Sequence, residues 1–226
     1  MPYRLLLCDA DETLLDFKQA EALAIRKTLA DFGLDASDQT AALYGAINLA
    51  QWQALERGET TPARLEIDRF RLLLEALGNH AVQPEAVARG YADALGLGGF
   101  LMPGALEFAR AVSRRMPIYL VTNGIAAIQR SRLSRTPLGP YLAGVIISQE
   151  IGSAKPDPAM LRLAMARAGV SPGETILLGD SLTSDIPAAQ NAGVDSIHLC
   201  WDAPCPSCPA AYEARTLAQA QAMILK

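Results

Sequence analysis

The chain has 226 residues, half of them apolar, with a formal charge of −4 and a pI near 5.2. That length suits one sizeable domain, or a core with a smaller insert, and nothing in the mildly acidic balance suggests the basic patch that nucleic-acid binding normally shows. The first apolar run, Leu5 to Cys8, stops at Asp9, far short of the roughly 20 residues of a membrane span, so a cytoplasmic protein with reduced thiols is expected.

The first predicted strand is 3–8. A long helical region follows over about 18–95, without a strand-like run. Thr61-Pro62 opens one helix there, with Leu65, Phe70, Leu73, Leu74 and Leu77 as its apolar stripe, ending at Gly78. Val87, Tyr91 and Leu95 mark another helical face at a spacing of four. The region reads as an all-helical insert with Leu15-Asp16-Phe17 and Gly96-Leu97-Gly98-Gly99 as its hinges.

Beyond it, short apolar runs at 118–121, 145–147, 176–178 and 196–199 suit parallel strands buried on both faces. Helical segments at 105–115, 125–135, 158–168 and 186–192 alternate with them. Asp157-Pro158 reads as an N-cap and first helical residue, and Gly169 and Gly193 as helix stops. Strand and helix in alternation imply an α/β fold with a doubly wound parallel sheet. The expected division is a core of 1–17 and 98–226 with a helical domain of 18–97.

In such sheets ligands bind beyond the carboxyl ends of the strands. The first strand ends in Asp9-Ala10-Asp11-Glu12-Thr13, two carboxylates able to serve as nucleophile or metal ligand and as acid and base. The second ends in Thr122-Asn123-Gly124, a hydroxyl, an amide and a glycine before a helix N-terminus, which suits a phosphate oxygen. Lys155-Pro156 lies in a loop near the third strand, where a lysine is ordinarily solvated. The fourth strand runs into Gly179-Asp180-Ser181-Leu182-Thr183-Ser184-Asp185. A phosphate ester adds about two negative charges to Asp9, Asp180 and Asp185 against one Lys155, so a hard divalent ion such as Mg²⁺ is expected.

Four cysteines are present, Cys8, Cys200, Cys205 and Cys208. Cys205-Pro206-Ser207-Cys208 is a C-x-x-C, yet no second His or Cys pair at the usual spacing completes a zinc site. It reads as a proline-rich loop of reduced thiols, and His80 and His198 as ordinary surface and strand residues.

The four polar stretches, D-x-D-x-T at 9–13, T-N-G at 122–124, K-P at 155–156 and G-D-S-x-x-S-D at 179–185, resemble in order the four motifs of the haloacid dehalogenase superfamily. The resemblance spans nearly the whole chain. It implies a Rossmann-like core with a C1-type cap inserted after the first strand. It also implies Asp9 as phosphoryl acceptor, Asp11 as acid and base, and Thr122, Asn123, Gly124 and Lys155 on the phosphate. Mg²⁺ would be held by Asp9, the Asp11 carbonyl and Asp180, with Asp185 acting through water. An acid at position 11 distinguishes phosphatases from the superfamily's dehalogenases. The segments 48–52, with Trp52, 58–61 and 69–70, the Glu12 that replaces a common glycine, and Cys200-Trp201 resemble the bacterial pyrimidine-type 5′-nucleotidases. The expected substrate is accordingly a small phosphate ester, a nucleoside 5′-monophosphate touching Trp52, on a monomer or homodimer. The alternatives are a phosphoglycolate or sugar-phosphate phosphatase or mutase of the same superfamily, and a non-catalytic phosphate-sensing module.

Overall fold

The structure, a computed structural model, describes residues 3–201 and 207–226. Five of its six strands follow the expected apolar runs: β1 (Leu5–Cys8), β2 (Ile118–Thr122), β3 (Gly144–Ile147), β4 (Thr175–Gly179) and β5 (Asp195–Leu199). The sixth, β6 (Tyr212–Ala214), has no such run. All pair in parallel in the order β3-β2-β1-β4-β5-β6. The order reverses at β1, which lies between β2 and β4, so the topological switch point falls at the tip that carries Asp9. The ten helices among the described residues are α1 (Phe17–Asp31), α2 (Asp38–Glu56), α3 (Pro62–Ala76), α4 (Pro84–Gly96), α5 (Ala105–Ser113), α6 (Ala126–Ser134), α7 (Ser148–Ile151), α8 (Ala159–Ala168), α9 (Asp185–Ala192) and α10 (Leu217–Ile224). None is long and apolar enough to cross a membrane.

The chain divides into two compact units. One is Met1–Asp16, Phe100–Ala126 and Thr136–Lys226; the other is Phe17–Gly99 with Ala127–Arg135. In the first, Leu5, Leu7, Val121, Ile146 and Leu177 of the strands pack with Met160, Leu161 and Ala164 of α8 and Ala188 and Ala189 of α9. Burial on both faces favours the near-continuous apolar runs of β1 to β4. Gly169 and Gly193 end α8 and α9 in the left-handed conformation, as expected. The start of α8 differs by one residue. Pro158 occupies the cap position, and Asp157 Oδ1 accepts from the Ala159 N–H at 2.8 Å.

The second unit is entirely helical. Thr61 caps α3, with its Oγ1 accepting from Arg64 N at 3.4 Å. Leu65, Phe70, Leu73 and Leu74 are buried, as are Val87, Tyr91 and Leu95 of α4. Phe70 stacks on Tyr44 at 5.3 Å and meets Tyr91 at 5.2 Å. The Arg69 guanidinium is buried over these rings and donates to Asn48 Oδ1 at 3.0 Å, while Asn48 Nδ2 donates to Glu21 at 2.6 Å. Asn48, Arg69 and Phe70 are therefore held inside this unit.

One grouping changes, and one stretch gains a packing role. The helix read at 125–135 and grouped with the sheet belongs, beyond Ala126, to the helical unit. Arg132 explains this: it is fully buried there, its Nε donates to the Gly98 carbonyl at 3.1 Å and its guanidinium lies 5.5 Å from the Phe17 ring. The glycines read as an exit hinge are tightly packed. A Cβ on Gly98 would lie 2.6 Å from Ala20 Cβ, and one on Gly99 would lie 2.9 Å from Arg135 Cβ. Glycine is required at these positions for close backbone approach.

Candidate active site

Every polar cluster expected at a strand end is found in the sheet-bearing unit. Asp9 follows β1 directly and is 6 % exposed. After it the chain turns tightly, with the N–H groups of Leu14 and Leu15 both donating to the Ala10 carbonyl. Glu12 takes the left-handed conformation, with φ of 56°, where glycine is the less strained occupant. The Trp201 indole Nε1–H donates to the Glu12 carbonyl at 2.7 Å and braces this turn. Asp11 is half-buried, in contrast to Asp9.

Lys155, ordinarily a solvated residue type, is 1 % exposed. Its Nζ donates to Asp9 Oδ1 at 2.5 Å, to Asp185 Oδ1 at 2.6 Å and to the Val121 carbonyl at 2.9 Å. Three acceptors satisfy the three ammonium protons, the condition for burying this charge. Burial opposes the charged form, but Asp185 and then Asp9 outweigh it and hold Lys155 above its ordinary value. Asn123 positions the lysine. Its Nδ2 donates to the Lys155 carbonyl and its Oδ1 accepts from the Lys155 N–H, both at 2.8 Å.

The carboxylates of Asp9, Asp180 and Asp185 each bring an oxygen within 4.8 Å of the others. Burial, opposed by Lys155 and reinforced by Asp185, Asp180 and Asp11, pushes Asp9 well above the usual carboxylate range. Asp180 is pushed up to about 7, by burial first and then by the charge of Asp185, against the pull of Lys155. Three acids crowded about one ammonium, offering hard oxygen donors, fit a small divalent cation such as Mg²⁺. Both oxygens of Asp185 already accept hydrogen bonds, Oδ1 from Lys155 and Oδ2 from the Ser181 N–H at 3.0 Å. Gly179 makes room for it, since a Cβ there would overlap the Asp185 carboxylate. Gly179→Ala is expected to cost about 1–3 kcal/mol of stability through this overlap. Denaturant unfolding measures it, and a loss under about half a kcal/mol would show that Asp185 is not anchored by this contact.

Thr122 is the last residue of β2 and is buried, and its hydroxyl donates to the Asn123 carbonyl at 3.3 Å. The Gly124 N–H, one of the groups expected on a phosphate, donates to Ser148 Oγ at 3.0 Å, and the Ala126 N–H at the start of α6 donates to Gln149 Oε1 at 2.8 Å. The structure therefore brings the buried Asp9, Lys155 and Asp185 and the half-buried Asp180 into one cluster beside Asn123, while the Asn123 side chain and the Gly124 N–H are engaged within the protein. Trp52 lies on α2 of the helical unit, half-buried. Ser148 shapes the site without any signal in the sequence, whereas Gly179 and Trp201 stand in recognised motifs whose sequence does not show these packing and bracing roles.

The comparisons agree with this geometry. A family model described as haloacid dehalogenase-like hydrolase matches residues 3–193. The HAD-hydrolase YfnB of Bacillus subtilis is 34 % identical over 200 residues, which are 88 % of this chain and 83 % of that protein. Its solved structure, bound to magnesium and described as revealing interdomain movement, superposes with a TM-score of 0.91 at 31 % identity over 99 % of both chains. The pyrimidine 5′-nucleotidases PynA of Streptococcus pneumoniae and YjjG of Escherichia coli are 35 % and 30 % identical over 87 % and 89 % of this chain, and over 84 % and 86 % of their own lengths. With its four motif stretches at the tips of one parallel sheet, the chain belongs to the haloacid dehalogenase-like hydrolase family and is a phosphatase.

Proposed function

We propose that this protein is a Mg²⁺-dependent phosphomonoester hydrolase that works through an aspartyl phosphate on Asp9 and acts on nucleoside 5′-monophosphates. The observation that carries the reading is the buried Lys155 ammonium between Asp9 and Asp185, with Asp180 alongside, at the switch point of the sheet. The helical unit is proposed as the cap, with Trp52 as a substrate contact.

Phosphoryl transfer asks mainly for positioning and charge stabilisation. An Asp9 oxygen attacks phosphorus, the bond to the nucleoside oxygen breaks, and Asp11 supplies the proton that this oxygen needs. In the second half Asp11, now ionised, takes a proton from water as the water oxygen attacks phosphorus. The bond to Asp9 then breaks, inorganic phosphate leaves, and both carboxyl groups return to their starting states. Lys155 favours the ionised form of Asp9 against burial, orients it and offsets charge on the phosphoryl group, with Thr122 and the Asn123 main chain on the phosphoryl oxygens. Mg²⁺, held by Asp9, Asp180 and the Asp11 carbonyl, would supply the remaining neutralisation. Asp185, with both oxygens occupied, acts at one remove through Lys155 or a water.

Two relatives of at least 30 % identity bear the name pyrimidine 5′-nucleotidase, which supports the nucleotide assignment. The test is phosphate release with Mg²⁺ from a panel of nucleoside 5′-monophosphates, phosphoglycolate and sugar phosphates, with and without EDTA. Preference for pyrimidine monophosphates and a loss on chelation of at least about 10²-fold are expected. Preference for glycolate or sugar phosphates would overturn the substrate class, and an EDTA-insensitive rate would remove the metal.

A further inference from the structure

On the far side of the sheet order from β2 and β3, parallel pairing sets His198 of β5 directly against Glu213 of β6, so both side chains lie on one face. Cys208 lies beside them. One ligand atom from each of His198, Cys208 and Glu213 lies within 4.8 Å of the other two. His198 is the strand residue expected, and it is 5 % exposed. Its Nε2 lies 3.0 Å from the Asp180 carbonyl, which can only accept, so Nε2 carries the proton. In the neutral ring Nδ1 is then a bare lone pair. It is buried, has no hydrogen-bond partner among the described residues, and lies 3.6 Å from Glu213 Oε1. A lone pair facing a carboxylate is repulsive unless a cation lies between them.

We infer that His198 Nδ1, Cys208 Sγ and Glu213 form a binding site for a borderline divalent ion of the Zn²⁺ class, with water as fourth ligand. The donor set is one nitrogen, one sulfur and one oxygen, which selects such an ion over Mg²⁺. The bond from the second ring nitrogen to a main-chain carbonyl is the usual support of a metal-bound histidine and fixes the tautomer. Tetrahedral bonds of 2.0–2.3 Å require ligand atoms roughly 3.3–3.8 Å apart, so closure by about 1 Å completes the site. On binding, Cys208 releases its thiol proton to solvent. The ion joins β5, the edge strand β6 and Cys208, and it fixes the ring that holds the Asp180 carbonyl. The site is independent of the function proposed above. Cys205, the other half of the C-x-x-C, lies outside the described residues. The 198–208–213 spacing is not one that sequence reading associates with zinc, because the fold, not a local motif, brings the ligands together.

The test is a Co²⁺ titration of the full-length protein at saturating Mg²⁺, read by thiolate-to-cobalt charge-transfer absorption in the near ultraviolet. One equivalent should give the band, and Zn²⁺ should displace it. Cys208→Ser should abolish the band, and Glu213→Gln should weaken Co²⁺ binding tenfold or more. At a hundredfold excess over its Kd, Zn²⁺ should raise the Tm by about 5–10 °C, a shift that Cys208→Ser loses. No thiolate band in the wild type, or one that survives Cys208→Ser, overturns the inference. A Tm insensitive to Zn²⁺ but lowered by Glu213→Gln would instead make the pair a protonated histidine–glutamate ion pair.

Discussion

Asp9→Asn is expected to lower phosphate release by at least about 10⁴-fold, because an amide cannot accept the phosphoryl group. The same substitution should leave stability nearly unchanged. A carboxyl whose pKa is raised on folding binds its proton more tightly in the folded state. At neutral pH its ionisation therefore costs the folded protein stability, and Asp9 is such a group. The amide removes that cost. Against this, Lys155 loses one of two carboxylate partners but keeps Asp185 and the Val121 carbonyl. The two effects oppose each other, so the Tm should stay within a few degrees of the wild type. Activity within about 10²-fold of wild type in a folded variant would remove Asp9 as acceptor. Lost activity accompanied by a large fall in Tm would instead assign Asp9 a structural role.

The sheet was legible where strands are buried on both faces, since β1 to β5 each stand out as a short apolar run, and β1, β2 and β4 lead directly into a polar cluster. β6 was not, because its Tyr-Glu-Ala sequence forms an edge strand of three residues that needs no such run. The carboxylates of the candidate site were legible as strand-end acids. The state of Lys155 was not, as composition favours a solvated lysine and only the resemblance placed it on the phosphate. What buries it is a non-local arrangement: three acceptors, on β2, after β1 and at the start of α9, converge on one ammonium. The Asn123 clamp is non-local in the same way, because a turn-type residue reads as a turn until its partner loop is known. The glycines at 98 and 99 carry an ambiguity of the opposite kind. Glycine permits both hinging and close packing, and sequence cannot tell an absent side chain that frees the chain from one that admits a neighbour.

Asp11→Asn tests the division of labour between the two acids, and its expected loss is about 10²–10⁴-fold on a nucleoside monophosphate. An asparagine can hydrogen-bond, but it can neither donate a proton to an alkoxide nor take one from water, so both halves of the reaction suffer. Leaving groups separate them. A nucleoside leaves as an alkoxide and needs the acid, whereas p-nitrophenol leaves as a stable phenolate and does not. With p-nitrophenyl phosphate the variant should therefore phosphorylate Asp9 readily and hydrolyse the product slowly. One phosphoryl group per chain should accumulate, visible by intact-protein mass spectrometry, preceded by a burst of p-nitrophenolate of equal stoichiometry. The half-buried position of Asp11, beside an Asp9 that is nearly inaccessible, suits a group that must meet first the leaving oxygen and then water. A near-normal rate on both substrates would reject the acid–base role. Equal losses on both, with no burst and no phosphoenzyme, would reduce Asp11 to a positioning residue whose part is played through its main-chain carbonyl.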